Sequence, residues 1–283
     1  MPDILEKKYN ILFWNCQGKD NENDDFECFI SNIVTEKEVH ILILCECKAN
    51  PYDFVNNINN LILDKKRKLN FIESNLGKGK SRISIFSTLD ATFFSSIRSE
   101  QRFIILNFHS EFNIVCLHLK SQAYTSETTK LEDDRIIIND ITKNSDKPLL
   151  FVGDFNVPPY STSLLSSNHF NTIRLGEDPK TIPRKNINKN HIRINPCWAL
   201  LGEAKEAPPG TLLYNGNDYD NLGWHLLDQV IFDYELKNIF FRNSLEIIAG
   251  TKRTSLIKKG KIDEKYSDHL PLFFSIKGDT YAG

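Results

Sequence analysis

Residues 149–156 read Leu-Leu-Phe-Val-Gly-Asp-Phe-Asn. A short apolar run closed by turn-forming residues has the pattern of a buried strand. Gly153 permits a tight exit from that strand. Asp154 and Asn156 stand two apart, so they share one face while the extended form continues. Taken alone, the same letters also describe a turn opened by an Asx cap. Their weight comes from what the rest of the chain repeats.

Other apolar runs also end in a polar residue able to hold a metal or a phosphate. Ile11–Trp14 leads into Asn15 and Gln17, Ile41–Cys45 into Glu46, and Ile114–Leu117 into His118 and Lys120. Leu226–Phe232 carries Asp228, and Tyr266-Ser-Asp268-His269 opens the closing run Leu270–Ile276. Ile83–Phe86 and Phe103–Phe108 add two further strand-like runs. Helix-like stretches lie between some of them, at Asp25–Glu38, Asp53–Leu63 and Glu132–Ile141. Strands in the majority, interspersed with helices, predict two packed sheets with helices outside them, an α/β layered architecture in one domain over residues 1–283. The stretch from Pro158 to Asn221 is rich in Asn, Ser, Pro and Gly and poorly periodic, which predicts mostly long loops. Loops of that length in a compact domain are usually functional or disordered, and these lie between two of the polar motifs.

Composition narrows the class. The chain has 283 residues, 40% of them apolar and 25% charged, with a net charge of −2 and a pI near 6.4. A grip on nucleic acid through a global positive field is therefore excluded, and any such grip must be local. Short basic clusters exist at Lys65–Lys68, at Lys78, Lys80 and Arg82, and at Lys258, Lys259 and Lys261, although such clusters are ordinarily solvated surface. The six cysteines form no C-x-x-C pair, which argues against a thiolate zinc site. Cys45, Cys47 and Cys116 sit in apolar runs, as buried free thiols do in a reducing compartment. The opening Met1–Lys8 is too polar for a signal peptide, and no apolar run approaches the ~20 residues of a membrane helix. The expectation is a soluble cytoplasmic protein, no membrane association, and a monomer.

A lone Glu or Asn beside a strand is ordinarily a turn residue, and a lone His a satisfied core residue. The ordered set is different. Asn15 in Trp-Asn-Cys-Gln-Gly, Glu46 in Leu-Cys-Glu-Cys-Lys, His118 in Leu-His-Leu-Lys-Ser, Gly-Asp-Phe-Asn at 153–156, Asp228 in Leu-Asp-Gln-Val-Ile-Phe and Ser-Asp-His at 267–269 together resemble the endonuclease/exonuclease/phosphatase superfamily. The resemblance runs from residue 15 to 269. It implies a deoxyribonuclease I-like four-layer α/β sandwich, with two mostly antiparallel sheets, flanking helices and an active site at one end of the sheets. It also implies one or two Mg2+ or Mn2+ ions, which the oxygen-rich set of candidate ligands suits independently.

The resemblance further implies roles. Glu46 is the main metal ligand, with Asn15, Gln17 and Asp268 completing or supporting the set. Asp154 orients or deprotonates the attacking water, and His118 and Asn156 donate to the phosphate. His269 contacts the phosphate as imidazolium or takes part in acid–base chemistry, and Asp228 holds its tautomer. Whether Asp154 or His269 is the base stays open. Lys120, Arg135, Tyr214 and Trp224 are expected to contact substrate, while Arg135 equally suits a surface helix. Tyr160, Trp198, Tyr219, Arg174, Lys180, Arg184 and Lys185 are candidates for stacking bases or meeting phosphates. Two departures stand out: Gln17 where several relatives have Asp or Asn, and Arg82 where a small residue is common. Glu73 is a candidate acidic partner for His118. The expected reaction is hydrolysis of nucleic-acid phosphodiesters, DNA ahead of RNA. The alternatives are a small or lipid-linked phosphoester, or a non-catalytic binding module.

Overall fold

The computed structural model describes residues 7–19, 24–75, 83–109, 111–121, 126–180, 191–202, 207–214 and 223–278. In chain order they form β1 (Lys8–Asn15), α1 (Asp24–Glu36), β2 (Ile41–Cys45), α2 (Pro51–Leu61), β3 (Asn70–Ser74), β4 (Ile83–Ser87), β5 (Phe94–Ser99), β6 (Phe103–Phe108), β7 (Phe112–His118), α3 (Glu127–Lys143) and β8 (Leu149–Asp154). There follow α4 (Thr162–Leu165), β9 (Thr172–Arg174), β10 (Arg193–Asn195), β11 (Leu212–Leu213), β12 (Trp224–His225), β13 (Asp228–Asp233), β14 (Glu246–Ile247), β15 (Ile257–Lys258), β16 (Lys261–Ile262) and β17 (Leu272–Lys277).

Two sheets carry the fold. One is six-stranded, in the order β14-β17-β1-β2-β4-β3, and the other seven-stranded, in the order β5-β6-β7-β8-β13-β10-β9. Pairing is antiparallel except at β1–β2, β7–β8 and β9–β10.

Strand alternation assigns the layers. Trp14 packs on Phe26 and Phe29 of α1, with ring centroids 5.2 and 5.3 Å apart. Tyr9 meets Phe108 of the other sheet at 5.3 Å. Leu12 and Trp14 therefore face the helices, while Tyr9, Ile11, Phe13 and Asn15 face the second sheet. In that sheet Val115, Leu117 and Phe151 join Ile138 and Ile141 of α3 in a separate apolar cluster. Ile114, Cys116, Leu150 and Val152 belong to the larger core shared with the first sheet. The result is helices, sheet, sheet, helices: the four-layer sandwich that the sequence implied. Each fully buried aliphatic or aromatic side chain in these layers contributes about 1.5–3 kcal/mol.

Local chemistry sets the element ends. Asn50 accepts from the Tyr52 and Asp53 amides, with Pro51 at the first helical position. Helix α2 thus starts two residues before the expected Asp53. Ser126 caps α3 through the Thr129 amide, so the helix starts at Glu127, five residues ahead of the expected boundary at Glu132.

The described part of the stretch 158–221 is mostly loop, as expected, interrupted only by α4, β9, β10, β11 and a short 3-10 helix at Pro196–Leu200. Its strands are too short and too polar for an alternating pattern to show. Gly153 is not a strand exit but lies inside β8. A Cβ there would stand 1.9 Å from the Leu117 carbonyl oxygen, so glycine is required for the close approach of β7 and β8.

All six cysteines are free thiols, five buried and Cys28 exposed. Among the described residues, no helix is long and apolar enough to cross a membrane.

Candidate active site

Strand register builds the centre. His118 pairs with Asp154 across β7–β8, and Asp154 with Asp228 across β8–β13. Three polar side chains therefore stand in one row across three neighbouring strands, on the face turned to the first sheet. Opposite them β1 ends at Asn15, whose register partner on β2 is Cys45. The next residue, Glu46, adopts φ +55°, a left-handed turn that swings the chain away from the strand.

The two sheets meet here through side chains. The Asn15 Nδ2 donates to Asp154 Oδ2 at 3.1 Å and to Glu46 Oε1 at 3.3 Å. The His118 Nε2 lies 3.3 Å from Glu46 Oε1 and 3.8 Å from Asp154 Oδ2. Glu46, and not Glu73, is thus the acidic neighbour of His118; Glu73 accepts instead from the Ser74 amide. Asp154 is buried, and its Oδ1 accepts from the Asn156 amide at 2.8 Å. Asn156, at φ +52°, gives one of its amide protons to the Leu119 carbonyl.

The Ser-Asp-His segment closes the other side. His269 Nδ1 stands 2.7 Å from Asp228 Oδ2, both groups buried, and the Asp268 carboxylate lies 4.0 Å from His269 Nε2. Ligand atoms of Asp154, Asp228 and His269 fall within 4.8 Å of one another. The segment is pinned from three directions. The Ser267 hydroxyl donates to the Asn15 carbonyl at 2.6 Å and accepts from the His269 amide. The Trp14 indole donates to the His269 carbonyl at 2.8 Å. The buried Thr211 accepts from the Leu227 and Asp228 amides, while its carbonyl accepts from the Leu270 amide.

Electrostatics separate the groups. Burial opposes charge on His269, but the Asp228 carboxylate beside it wins, helped by Asp154 and Asp268, and pushes its pKa up to about 10. His269 is therefore an imidazolium at neutral pH. Burial pushes the Asp228 carboxyl above its ordinary range, against the pull of His269.

The donor set suits a hard divalent ion. Four carboxylates converge, and the Asp228 Oδ1 is buried without a hydrogen-bond partner among the described residues. Glu46 and Asp268 keep 37% and 35% of their side chains exposed, so their lone pairs are within reach of an ion entering from solvent. Asn15 enters differently from a ligand: its Oδ1 is taken by the Gln17 amide at 3.1 Å, and its nitrogen faces the carboxylates. Gln17 contributes that backbone amide, with its side chain in an exposed residue at φ +48°.

The other sequence candidates lie around this centre. The Lys120 Nζ is held by Asp133 at 2.5 Å. The Arg135 guanidinium is engaged by Glu132 at 2.6 and 2.8 Å on the solvent side of α3, as a surface helix residue would be. Trp224 packs against the core, and the exposed Tyr214 meets His225 edge-on at 6.1 Å. Both belong to the β11–β12 hairpin, which touches the centre through the Leu212–His269 bridge. Lys78, Lys80, Arg82, Arg184, Lys185 and Tyr219 lie outside the described residues.

Behind the centre lies a group that the sequence did not disclose. The Lys130 Nζ, buried on α3, meets Asp134 at 3.1 Å and donates to the Phe155 carbonyl at 3.2 Å. Asp134 in turn accepts from the Ser163 hydroxyl at 2.7 Å. A Lys and an Asp four apart on one helix face were the only available signal.

No family model matches the chain, and no curated protein does. Solved structures do match over nearly the whole length. An endonuclease/exonuclease/phosphatase family protein from Leptotrichia buccalis C-1013-b aligns at a TM-score of 0.54 and 14% identity, covering 95% of this chain and 99% of its own. An AP endonuclease from Archaeoglobus fulgidus aligns at 0.55 and 15%, covering 94% and 98%. D. rerio TDP2 complexed with single strand DNA product aligns at 0.56 and 14%, covering 95% and 98%. The chain has the deoxyribonuclease I-like fold of the endonuclease/exonuclease/phosphatase group.

Proposed function

We propose that this chain is a divalent-metal-dependent phosphodiesterase, and specifically a nuclease, with DNA ahead of RNA as its substrate. The observation that carries the reading is the convergence of Asn15, Glu46, His118, Asp154, Asp228, Asp268 and His269, from distant parts of the chain, at one end of the sheet pair.

Glu46 and Asp268 are the residues that would hold Mg2+ or Mn2+, with Asn15 orienting the Glu46 carboxylate. When bound, such an ion neutralises charge on the phosphoryl oxygens and the leaving group. Asp154 holds the attacking water, oriented by the Asn15 and Asn156 protons on its two oxygens, and accepts its proton. His269, kept as an imidazolium by Asp228, donates to a phosphoryl oxygen, as does His118. A group charged up to about pH 10 is unsuited to act as base at neutral pH, which favours Asp154 for that part. The nucleic-acid preference draws on the AP endonuclease and the DNA-bound TDP2 among the structural neighbours.

The test is cleavage of labelled single- and double-stranded DNA and RNA with Mg2+, Mn2+ or EDTA. Metal-dependent cleavage of one strand type is expected. Turnover of bis-(p-nitrophenyl) phosphate without cleavage of any nucleic acid would move the substrate to a small or lipid-linked phosphoester.

A further inference from the structure

A second cleft, of about 400 Å³, opens at the lateral edge of the sandwich, beside β9, the edge strand of the seven-stranded sheet, and the segment leading into β14, the edge of the six-stranded one. Its volume lies in the range of small-ligand sites. On one wall the Arg174 guanidinium lies over the Trp198 indole, 5.2 Å from the ring centroid. Glu177 steadies that arrangement, 3.8 Å from the Arg174 Nε and accepting the Arg174 amide at 2.9 Å. The Trp198 indole N–H is buried and has no acceptor among the described residues. Arg242 also lines the cleft, and forms no ion pair with any described residue.

The cleft is wired to the catalytic row. Asn195, in its lining, donates to the Gln229 side chain at 2.7 Å. Gln229 follows Asp228 directly, and its Nε2 donates to the Val157 carbonyl at 2.7 Å, one residue beyond Asn156. One side-chain hydrogen bond therefore separates the lining from a residue adjoining Asp228.

We infer that this cleft holds one nucleotide of a bound nucleic-acid strand, an inference that rests on the nuclease reading for its connection to catalysis. A guanidinium lying over an indole offers a shelf on which a base stacks whatever its identity. The Arg242 guanidinium supplies the partner for the phosphate of the same unit. A chain with a net charge of −2 has no global field to hold a strand, so a local aromatic and cationic site is the kind of grip it can offer.

The test has two arms, both on the full chain. In EDTA, oligothymidylate is titrated against intrinsic tryptophan fluorescence, with Trp198→Phe identifying the signal of Trp198. Quenching of Trp198 is expected, with Kd raised at least fivefold in Arg174→Gln and in Arg242→Gln. No quenching, or a Kd unchanged in both variants, overturns the inference. In the second arm, with Mg2+, the same variants should raise KM for the oligonucleotide and leave kcat and bis-(p-nitrophenyl) phosphate turnover unchanged. Quenching without cleavage by the wild-type chain keeps the cleft and removes the nuclease reading. Cleavage whose KM neither variant alters keeps the nuclease reading and removes the cleft from it.

Discussion

His269 is under two opposing demands: burial favours the neutral ring, and Asp228 at 2.7 Å favours the cation. The carboxylate prevails, so the ring should titrate far above an ordinary histidine. Because the folded pKa is raised to about 10, the ion pair adds its full stability below the ordinary value of about 6.5. That contribution is lost as pH rises through about 10. In the metal-free protein, imidazole ¹⁵N shifts should show His269 protonated at pH 8. Asp228→Asn removes the main influence raising the pKa and leaves burial, so the same ring should be neutral at pH 8; a ring still charged in that variant would refute the pairing. The sequence made this pair readable, because Leu-Asp-Gln and Ser-Asp-His are local motifs. It did not disclose that Asn15 turns its nitrogen inward, since that depends on which neighbour takes its oxygen, here the Gln17 amide. The part Thr211 plays was equally hidden: a Thr after Pro209-Gly210 gains a structural role only once it accepts from the Asp228 amide.

At the scale of elements, β8 is where sequence and structure correspond most closely and where small changes should be felt most. The strand was legible because its apolar run is unbroken and its polar end abrupt. The true reason for Gly153 was not legible, because it lies in the neighbouring strand. Gly153→Ala places a methyl 1.9 Å from the Leu117 carbonyl oxygen and must push β7 from β8. The expected loss is roughly 1–3 kcal/mol of stability by urea unfolding, together with a fall in kcat as His118 and Asp154 lose register. A variant with wild-type stability and rate would show that the strands do not approach so closely. Helix α3 supports β8 from the other side through Lys130. Lys130→Met would leave the Asp134 carboxylate buried without its cationic partner and held only by the Ser163 hydroxyl, at a cost of about 3–5 kcal/mol. Lys130→Met with Asp134→Leu should regain most of that stability but not the rate, because the Phe155 carbonyl still lacks its donor. Full recovery of kcat in the double variant would deny Lys130 a part in positioning Asp154 and Asn156. The edge strands β3, β5 and β9, and β10 beside β9, escaped the sequence for a common reason. They are short or half-exposed, two of them carry a register shift, and some of their polar residues are satisfied by distant partners, as buried Arg193 is by Asp233 at 3.0 Å.

For the molecule as a whole, the fold gathers residues 15 and 269 to one end of the sheet pair, and that gathering is what makes a site. No single motif specifies it. The layered architecture followed from runs of apolar residues, and the site from the polar residue at the end of each run. The order of strands across each sheet was beyond periodicity, since it is set by long-range pairing. If carboxylates converge here to hold an ion, Mg2+ should stabilise the folded chain, with Tm rising as its concentration passes the dissociation constant. Glu46→Gln should weaken that shift at least tenfold in apparent affinity, and an equal shift in wild type and variant would remove Glu46 from the ion.

The proposed function requires these strand ends to act together as one hydrolytic centre. Its most direct test is single-turnover hydrolysis of bis-(p-nitrophenyl) phosphate with saturating Mg2+ by wild type, Asp154→Ala, His269→Ala and the double variant. Each single change should lower the rate by about 10²–10⁴-fold, and the double variant should lose little more than the worse single one, because groups acting as a unit are not additive. Single variants within tenfold of wild type would show that Asp154 and His269 do not carry the reaction.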